Sequence, residues 1–404
     1  LSDPAALLRS PATIRERCRH ILAAVEAGQS KHFTLHRSQL DEVARRVEQV
    51  TRRQYPDLRI PYHSRWRHFE AGGVDRRAEL ALLLEGRDAA EQAQAHIDLT
   101  VMSVLLDAGA GPAWRFEENG ATFSRSEGLG VATFRAFVAG CFSSDPLDPL
   151  RVDARALQRV DDALLAQVFQ VRDDNPLVGL AGRATLMRRL GETLAAQPEV
   201  FGGDGRPGGL YDTLTQRGQL DRLPAPAVLQ ALLDHLGPIW LTGSQLQGTP
   251  LGDCWPHPAA GGSGLTAGWV PFHKLSQWLT YSLLEPFEWA GVTLTELDGL
   301  TGLPEYRNGG LLLDSRVIVP LDASFASRTH TAADEAIVEW RALTVALIDE
   351  LAPLVRERLH KKPEEMPLAC ILEGGTWAAG REIAKTLREG GSPPLKIESD
   401  GTVF

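Results

Sequence analysis

The chain has little of what would make it a stapled, membrane-spanning or nucleic-acid-coating protein. Only four of its 404 residues are cysteines, and Cys18, Cys141, Cys254 and Cys370 form no CxxC pair. Such scattering argues against a disulfide framework and suits reduced, mostly buried thiols of a cytoplasmic protein. No apolar run approaches the roughly 18–20 residues that cross a bilayer. The first residues, with Asp3, Arg9, Arg15 and Glu16, lack the apolar stretch of a secretory signal. Positive charge is also short: 42 Lys and Arg against 52 Asp and Glu leave a formal charge of −10. That disfavours non-specific binding to nucleic acid or an anionic membrane, while a local basic pocket for a phosphate stays open. No internal repeat or low-complexity segment occurs.

What remains is ordinary globular composition, 43% hydrophobic and 23% charged, in a chain long enough to bury a large core. Helical signals dominate. Ser10 and Pro11 open a first helix whose stripe is Ile14, Cys18, Ile21, Leu22 and Val25, ended by Gly28. A second spans about Ser38 to Tyr55 and a third about Arg87 to Asp107. Asn119-Gly120 supplies the turn of a short hairpin. Leu157, Val160, Leu164 and Val168 read as one helical stripe, and Ile337, Trp340, Leu343, Leu347 and Leu351 as another that Pro353 kinks or ends. GGLLLDSRVIVPLD reads as a strand, Trp377 to Arg388 as a helix, and Asp400-Gly401 as a hairpin turn. The expectation is a mainly α fold with minor β elements. It is divided into an N-terminal helical region, 1–125, with an aromatic and basic loop, and a helical domain, 126–404, carrying the active site.

Two segments carry most of the candidate chemistry. LTELDGLTGLPEYRNGGLLLD places Glu296, Asp298, Glu305, Arg307 and Asp314 among apolar positions, with Gly309 and Gly310 letting backbone approach a ligand. Carboxylates against an apolar wall serve as general acids or bases, and an arginine pairs with them or with phosphate. HSRWRHFEAGGVDR holds His63, His68, Glu70 and Asp75, but Arg65, Arg67 and Arg76 would repel a cation, so an anion or sugar-phosphate pocket suits it better than a metal. Structural readings compete: a packed loop around Trp66 and Phe69, or plain surface charge at Glu305–Arg307. Cys254 and His257 have no partner pair of metal-ligand spacing, and EGGTWAAGR lacks the GK[ST] ending of a phosphate loop, so a helix start is its simpler reading.

The blocks PYHSRWRHFEAGGVDR, SVLLDAGAGPAW, SRSEGLGVA, DNPLVGLAGRA, VPFHKLSQWLTYSLLEP, LTGLPEYRNGGLLLD and LEGGTWAAGREIA together resemble the uracil catabolism protein 4 family. They run from about residue 60 to 385. The resemblance implies a role in a uracil-degrading pathway that passes through a ribosylurea-type intermediate, with or without a 5′-phosphate, and releases urea. LTGLPEYR is also similar to the LTxxADYR segment of the queuosine salvage glycosylases, matching at Leu300, Thr301, Tyr306 and Arg307, with Glu305 where that family has aspartate. That second likeness implies a DNA-glycosylase-like helical fold for the C-terminal half.

Both point to hydrolysis of a ribose–nitrogen bond, which passes through an oxocarbenium-like state that a carboxylate stabilises. The expected catalytic residues are Glu305, Asp314 and Asp298. The expected substrate contacts are Arg307, Tyr306, Arg76, His68, Glu70, Trp278 and His273. The ligand is a small nucleoside- or nucleotide-like molecule, with no cofactor, no metal, no nucleic acid and no membrane. A pyrimidine-nucleotide-binding regulator and a metal-dependent amidohydrolase acting on the ureido group are the competing readings. Ile60–Arg76, Pro250–Gly268 and Leu294–Asp314 are expected to meet at one pocket.

Overall fold

The computed structural model describes residues 4–107, 109–240 and 244–398, and the turn at Asp400-Gly401 lies outside them. Helices dominate, with short paired strands between them. The first long helix, α1 (Pro11–Glu26), buries the stripe read from the sequence, although the Ser10 side chain makes no cap bond. Next come α2 (Leu40–Gln54) and α3 (Ala89–Leu105). In α3, Asp88 and Glu91 close a capping box, which satisfies two otherwise orphaned amides.

The hairpin Phe116–Glu118/Ala121–Phe123 turns on Asn119 (φ 50°) and Gly120 (φ 81°). Both central residues of a type I′ turn need that positive φ. It leads into α4 (Arg125–Val138), followed by α5 (Leu180–Ala195) and α6 (Ala225–His235). The stripe through Leu157 and Val168 is not one helix. It breaks into Ala154–Leu157 and Asp162–Val168, because Asp153 and Asp161 each cap a fresh start.

The C-terminal half holds α7 (Lys274–Trp289), α8 (Tyr306–Asp314), α9 (Glu335–Leu359) and α10 (Trp377–Leu387). One sequence expectation fails here and another is narrowed. GGLLLD is the body of α8 rather than strand: Glu305 caps it, and Leu311 and Leu312 turn into the core, leaving only Ile318–Pro320 extended. Pro353 does not end α9, which continues through it to Leu359. Packing from α1 and α2 along α9 holds the helix across the missing hydrogen bond.

One contiguous hydrophobic core runs from Ile14 to Leu395. α1 and α2 lie on α9, α3 on α7, and α8 on α10. The strands tie distant segments: Phe33–Leu35 pairs antiparallel with Ile318–Pro320, and Arg222–Pro224 pairs parallel with Thr293–Thr295. No helix among the described residues is long and apolar enough to cross a membrane. Cys18, Cys254 and Cys370 are buried free thiols, and Cys141 is partly exposed.

Candidate functional site

Glu305 is the N-cap of α8, and its carboxylate accepts from the backbone amides of Arg307 (2.6 Å) and Asn308 (2.7 Å). A carboxylate that accepts from two amides at a helix N-terminus is held in one place. Its field reaches Lys274, the first residue of α7. Burial pulls the Lys274 ammonium below its usual range; Glu305, Asp253 and Asp107 oppose that shift, while Arg341 adds to it.

Lys274 thus lies in the field of two of the three singled-out segments, through Asp253 and Glu305, and of Asp107, which Arg65 of the third segment binds. Asp253 comes from the glycine-rich loop. It takes a two-pronged pair from Arg341 (2.7 Å each) and caps the α7 backbone at Lys274 (3.0 Å). Although burial alone would raise it, Arg341 holds the Asp253 carboxyl down to about 2. Asp107 is bound by Arg65 (2.9 Å) and by Ser126 Oγ (3.0 Å). Burial raises the Asp107 carboxyl and lowers the Arg65 guanidinium, and their mutual attraction opposes both shifts. The rest of the 250–268 loop faces elsewhere: Gly261 lies against His20 and Gly262 against Arg17 of α1, where a Cβ would collide.

Beside this group opens a cavity of about 330 Å³. One wall is the 63–71 segment with His63, Arg67, His68 and Glu70; facing it are Tyr55, Glu127, Glu373 and Trp377. His68 also meets Trp278, ring centroids 5.8 Å apart, and its Nδ1 lies 3.2 Å from Arg65. Burial, with Arg65 adding to it, pushes the His68 imidazole well below its usual range, so it is neutral. The Trp278 indole N–H is buried and, among the described residues, has no hydrogen-bond partner.

Glu305 and the cavity are joined through α10. Gly380 sits directly on the Arg307 carbonyl: a Cβ there would be 2.1 Å from the oxygen. The next residue, Arg381, reaches Glu127 (3.8 Å) and lies over the Trp377 ring (5.6 Å), both in the cavity wall. Arg307 donates to the Gly391 carbonyl (3.1 Å) and feels Arg381, Arg125 and Arg388, which with burial lower its guanidinium. Burial pushes the Tyr306 phenol up to about 12.

Of the remaining expected residues, Asp314 lies at the far end of α8, paired with Arg388 (2.9 and 2.5 Å). Nine residues of helix separate it from Glu305 by roughly 13 Å. Asp298 is exposed, pairs with Arg356 (3.1 Å), and lines a different, shallower cavity with Arg15 and Asp349. Arg76 is fully buried and is spent on the carbonyls of Phe69 and Ala71 and on Glu118. His273 takes the left-handed conformation (φ 47°) before α7 and bonds the Leu8 carbonyl (2.9 Å). Gly309 and Gly310 admit no ligand: Trp340 packs on the first and Pro394 on the second.

Sequence reasoning passed over Lys274 and set aside, as a helix start, the segment with Glu373, Trp377 and Arg381. The last three stand in EGGTWAAGR, which is not a plain helix start. It opens with a π-helical turn, Leu372–Thr376, a rare element that recurs at functional sites. Gly375 is required there, since a Cβ would lie 2.4 Å from Val47 of α2. No motif spacing signals such a turn. Among the described residues no three His, Cys, Asp or Glu side chains are grouped as metal ligands; His257 instead meets Glu339 (3.2 Å).

Comparison with known proteins adds a family. The profile described as "Protein of unknown function (DUF1688)" matches residues 7–404. "Uracil catabolism protein 4" of Lachancea kluyveri is 39% identical over 440 aligned residues, covering all of both chains. "Protein urg3" of Schizosaccharomyces pombe is 40% identical over 412, again covering all of both. The chain belongs to this family, DUF1688, that of the fungal uracil catabolism protein 4.

Proposed function

We propose that the chain is an enzyme of uracil catabolism that hydrolyses the ribose–nitrogen bond of a ribosylurea-type substrate and releases urea. The observation that carries this reading is the Glu305 carboxylate, fixed by two amides in a charged, partly desolvated group and linked through α10 to a polar cavity. The full-length relatedness to a protein named for uracil catabolism supplies the substrate class.

Breaking the C1′–N bond leaves positive charge on the ribose, and a fixed carboxylate beside C1′ lowers that barrier more than a mobile, hydrated one would. Water adds at C1′ on the opposite side from the departing nitrogen or after it has left, and its proton passes to the carboxylate. Lys274 and Glu305 attract one another within this group. Arg307 and Arg381 supply positive charge for an anionic group on the ribose.

The test is to incubate purified protein with ribosylurea and with its 5′-phosphate and to assay urea. Release from either substrate, unaffected by chelator, is expected. A protein that binds these compounds without turnover is a sensor, and one whose activity disappears with chelator is a metal-dependent amidohydrolase; either result ends this reading.

A further inference from the structure

His63 and Glu373 form a pair that the chemistry at Glu305 leaves unused. The His63 Nδ1 lies 2.8 Å from Glu373 Oε2, both side chains are mostly buried, and both line the 330 Å³ cavity. They come from opposite ends of the chain, brought together because the His63 amide bonds the Ala369 carbonyl (3.0 Å). Glu373 projects from the π-helical turn, where the wider winding displaces a side chain from its α-helical position. Its other oxygen is 3.4 Å from the Tyr55 hydroxyl. A carboxylate on Nδ1 fixes the ring and its tautomer and leaves Nε2 as the working edge. Among the described residues Nε2 makes no hydrogen bond.

The surroundings suit a small group that both donates and accepts. Arg67, paired with Glu285 (2.9 Å) and Glu70 (3.5 Å), brings a cation to the cavity wall, and Glu70 and Glu127 offer acceptors. Trp377 gives a flat wall, its ring centroid 6.2 Å from that of His63. A ureido group has one carbonyl acceptor and N–H donors on both nitrogens, so it matches this set. α10, whose Trp377 lines the cavity, packs through Gly380 on the Arg307 carbonyl, two residues from Glu305.

We propose that this cavity holds the departing ureido group and that His63 is its proton donor, with Glu373 as the positioning residue. The proposal rests on the hydrolase reading above. As the C1′–N bond breaks, its electron pair goes to nitrogen, which takes the Nε2 proton of a doubly protonated His63 and leaves as neutral urea, while the Nδ1–H stays on Glu373. Water forms the new C1′–O bond and gives its proton to Glu305, and solvent returns that proton to His63. One water is consumed and no oxidant or reductant is needed.

The experiment uses His63→Gln and Glu373→Gln in the full chain, with ribosylurea and ribosylthiourea as substrates. Thiourea has nearly the same shape but is more acidic, so it departs with less help from a donor. His63→Gln is expected to lose roughly 10²-fold or more in kcat on ribosylurea, a loss in the range of general acid catalysis, and clearly less on ribosylthiourea. Glu373→Gln should show the same preference, with a smaller loss and little change in KM. A second measurement adds imidazole to His63→Gly, which should recover urea release in proportion to the imidazole added. If the parent releases no urea, the hydrolase reading itself fails. If the parent is active and His63→Gln keeps its rate, or if both substrates fall equally and imidazole restores nothing, His63 is not the donor.

Discussion

Glu305 has two separable duties, capping α8 and presenting negative charge. Glu305→Gln should therefore cost stability as well as turnover: an N-cap bond is worth about 1 kcal/mol. Glu305→Ser separates the duties, because serine is a strong N-cap without charge. We expect Glu305→Ser to melt within about 0.5 kcal/mol of the parent in urea yet to lose about 10²-fold or more in urea release. A serine variant with full activity would reduce Glu305 to a cap. Asp314→Asn is the contrasting case. Its Arg388 pair is about a quarter open to solvent at the arginine, so about 1 kcal/mol of stability should go, with kcat on ribosylurea unchanged.

At the scale of elements, the contact between α8 and α10 sets where Arg307 and Arg381 stand. Gly380→Ala would push a methyl into the Arg307 carbonyl and force the helices apart. Overpacking of this kind costs about 1–3 kcal/mol, and urea release should fall with it. Gly310→Ala, whose Cβ would be 3.2 Å from Pro394, is the milder control and should be close to parental in both assays. Helices with one apolar stripe, such as α1 and α9, were legible because their period alone sets the buried face. α8 was misread because its run of leucines suits strand and helix equally; its N-cap and Trp340 of α9, packed on Gly309, decide the matter. The site was legible in part for the same reason. Glu305, Arg307 and His68 stand in charged, unusual segments, whereas Lys274 and Glu373 acquire meaning only from neighbours supplied by the fold.

For the molecule as a whole, acid should be a weakness with an identifiable source. His96 lies between Trp66 and Trp289, with Nε2 unpartnered, and burial lowers its imidazole to about 4. The unfolded chain binds that proton near pH 6.5, so between there and about pH 4 it holds more protons than the native state. Stability must then fall as pH falls across this window, by about 3 kcal/mol from this group. His96→Phe keeps the ring sandwich and removes the proton, so its urea midpoint should change less than the parent's between pH 7 and 4. Equal slopes would assign the acid sensitivity elsewhere.

The pairing of α1 and α2 with α9 also has a consequence in time. Some 309 residues separate the end of α1 at Glu26 from the start of α9 at Glu335. At a synthesis rate of about 5–20 residues per second, the apolar face of α1 waits roughly 15–60 s on the ribosome for its main partner. The cavity is later still, because Glu373 and Trp377 are made after α9. A nascent chain stalled near residue 330 should therefore be held by chaperones or aggregate, and a chain caught partway through synthesis should have no activity to misdirect.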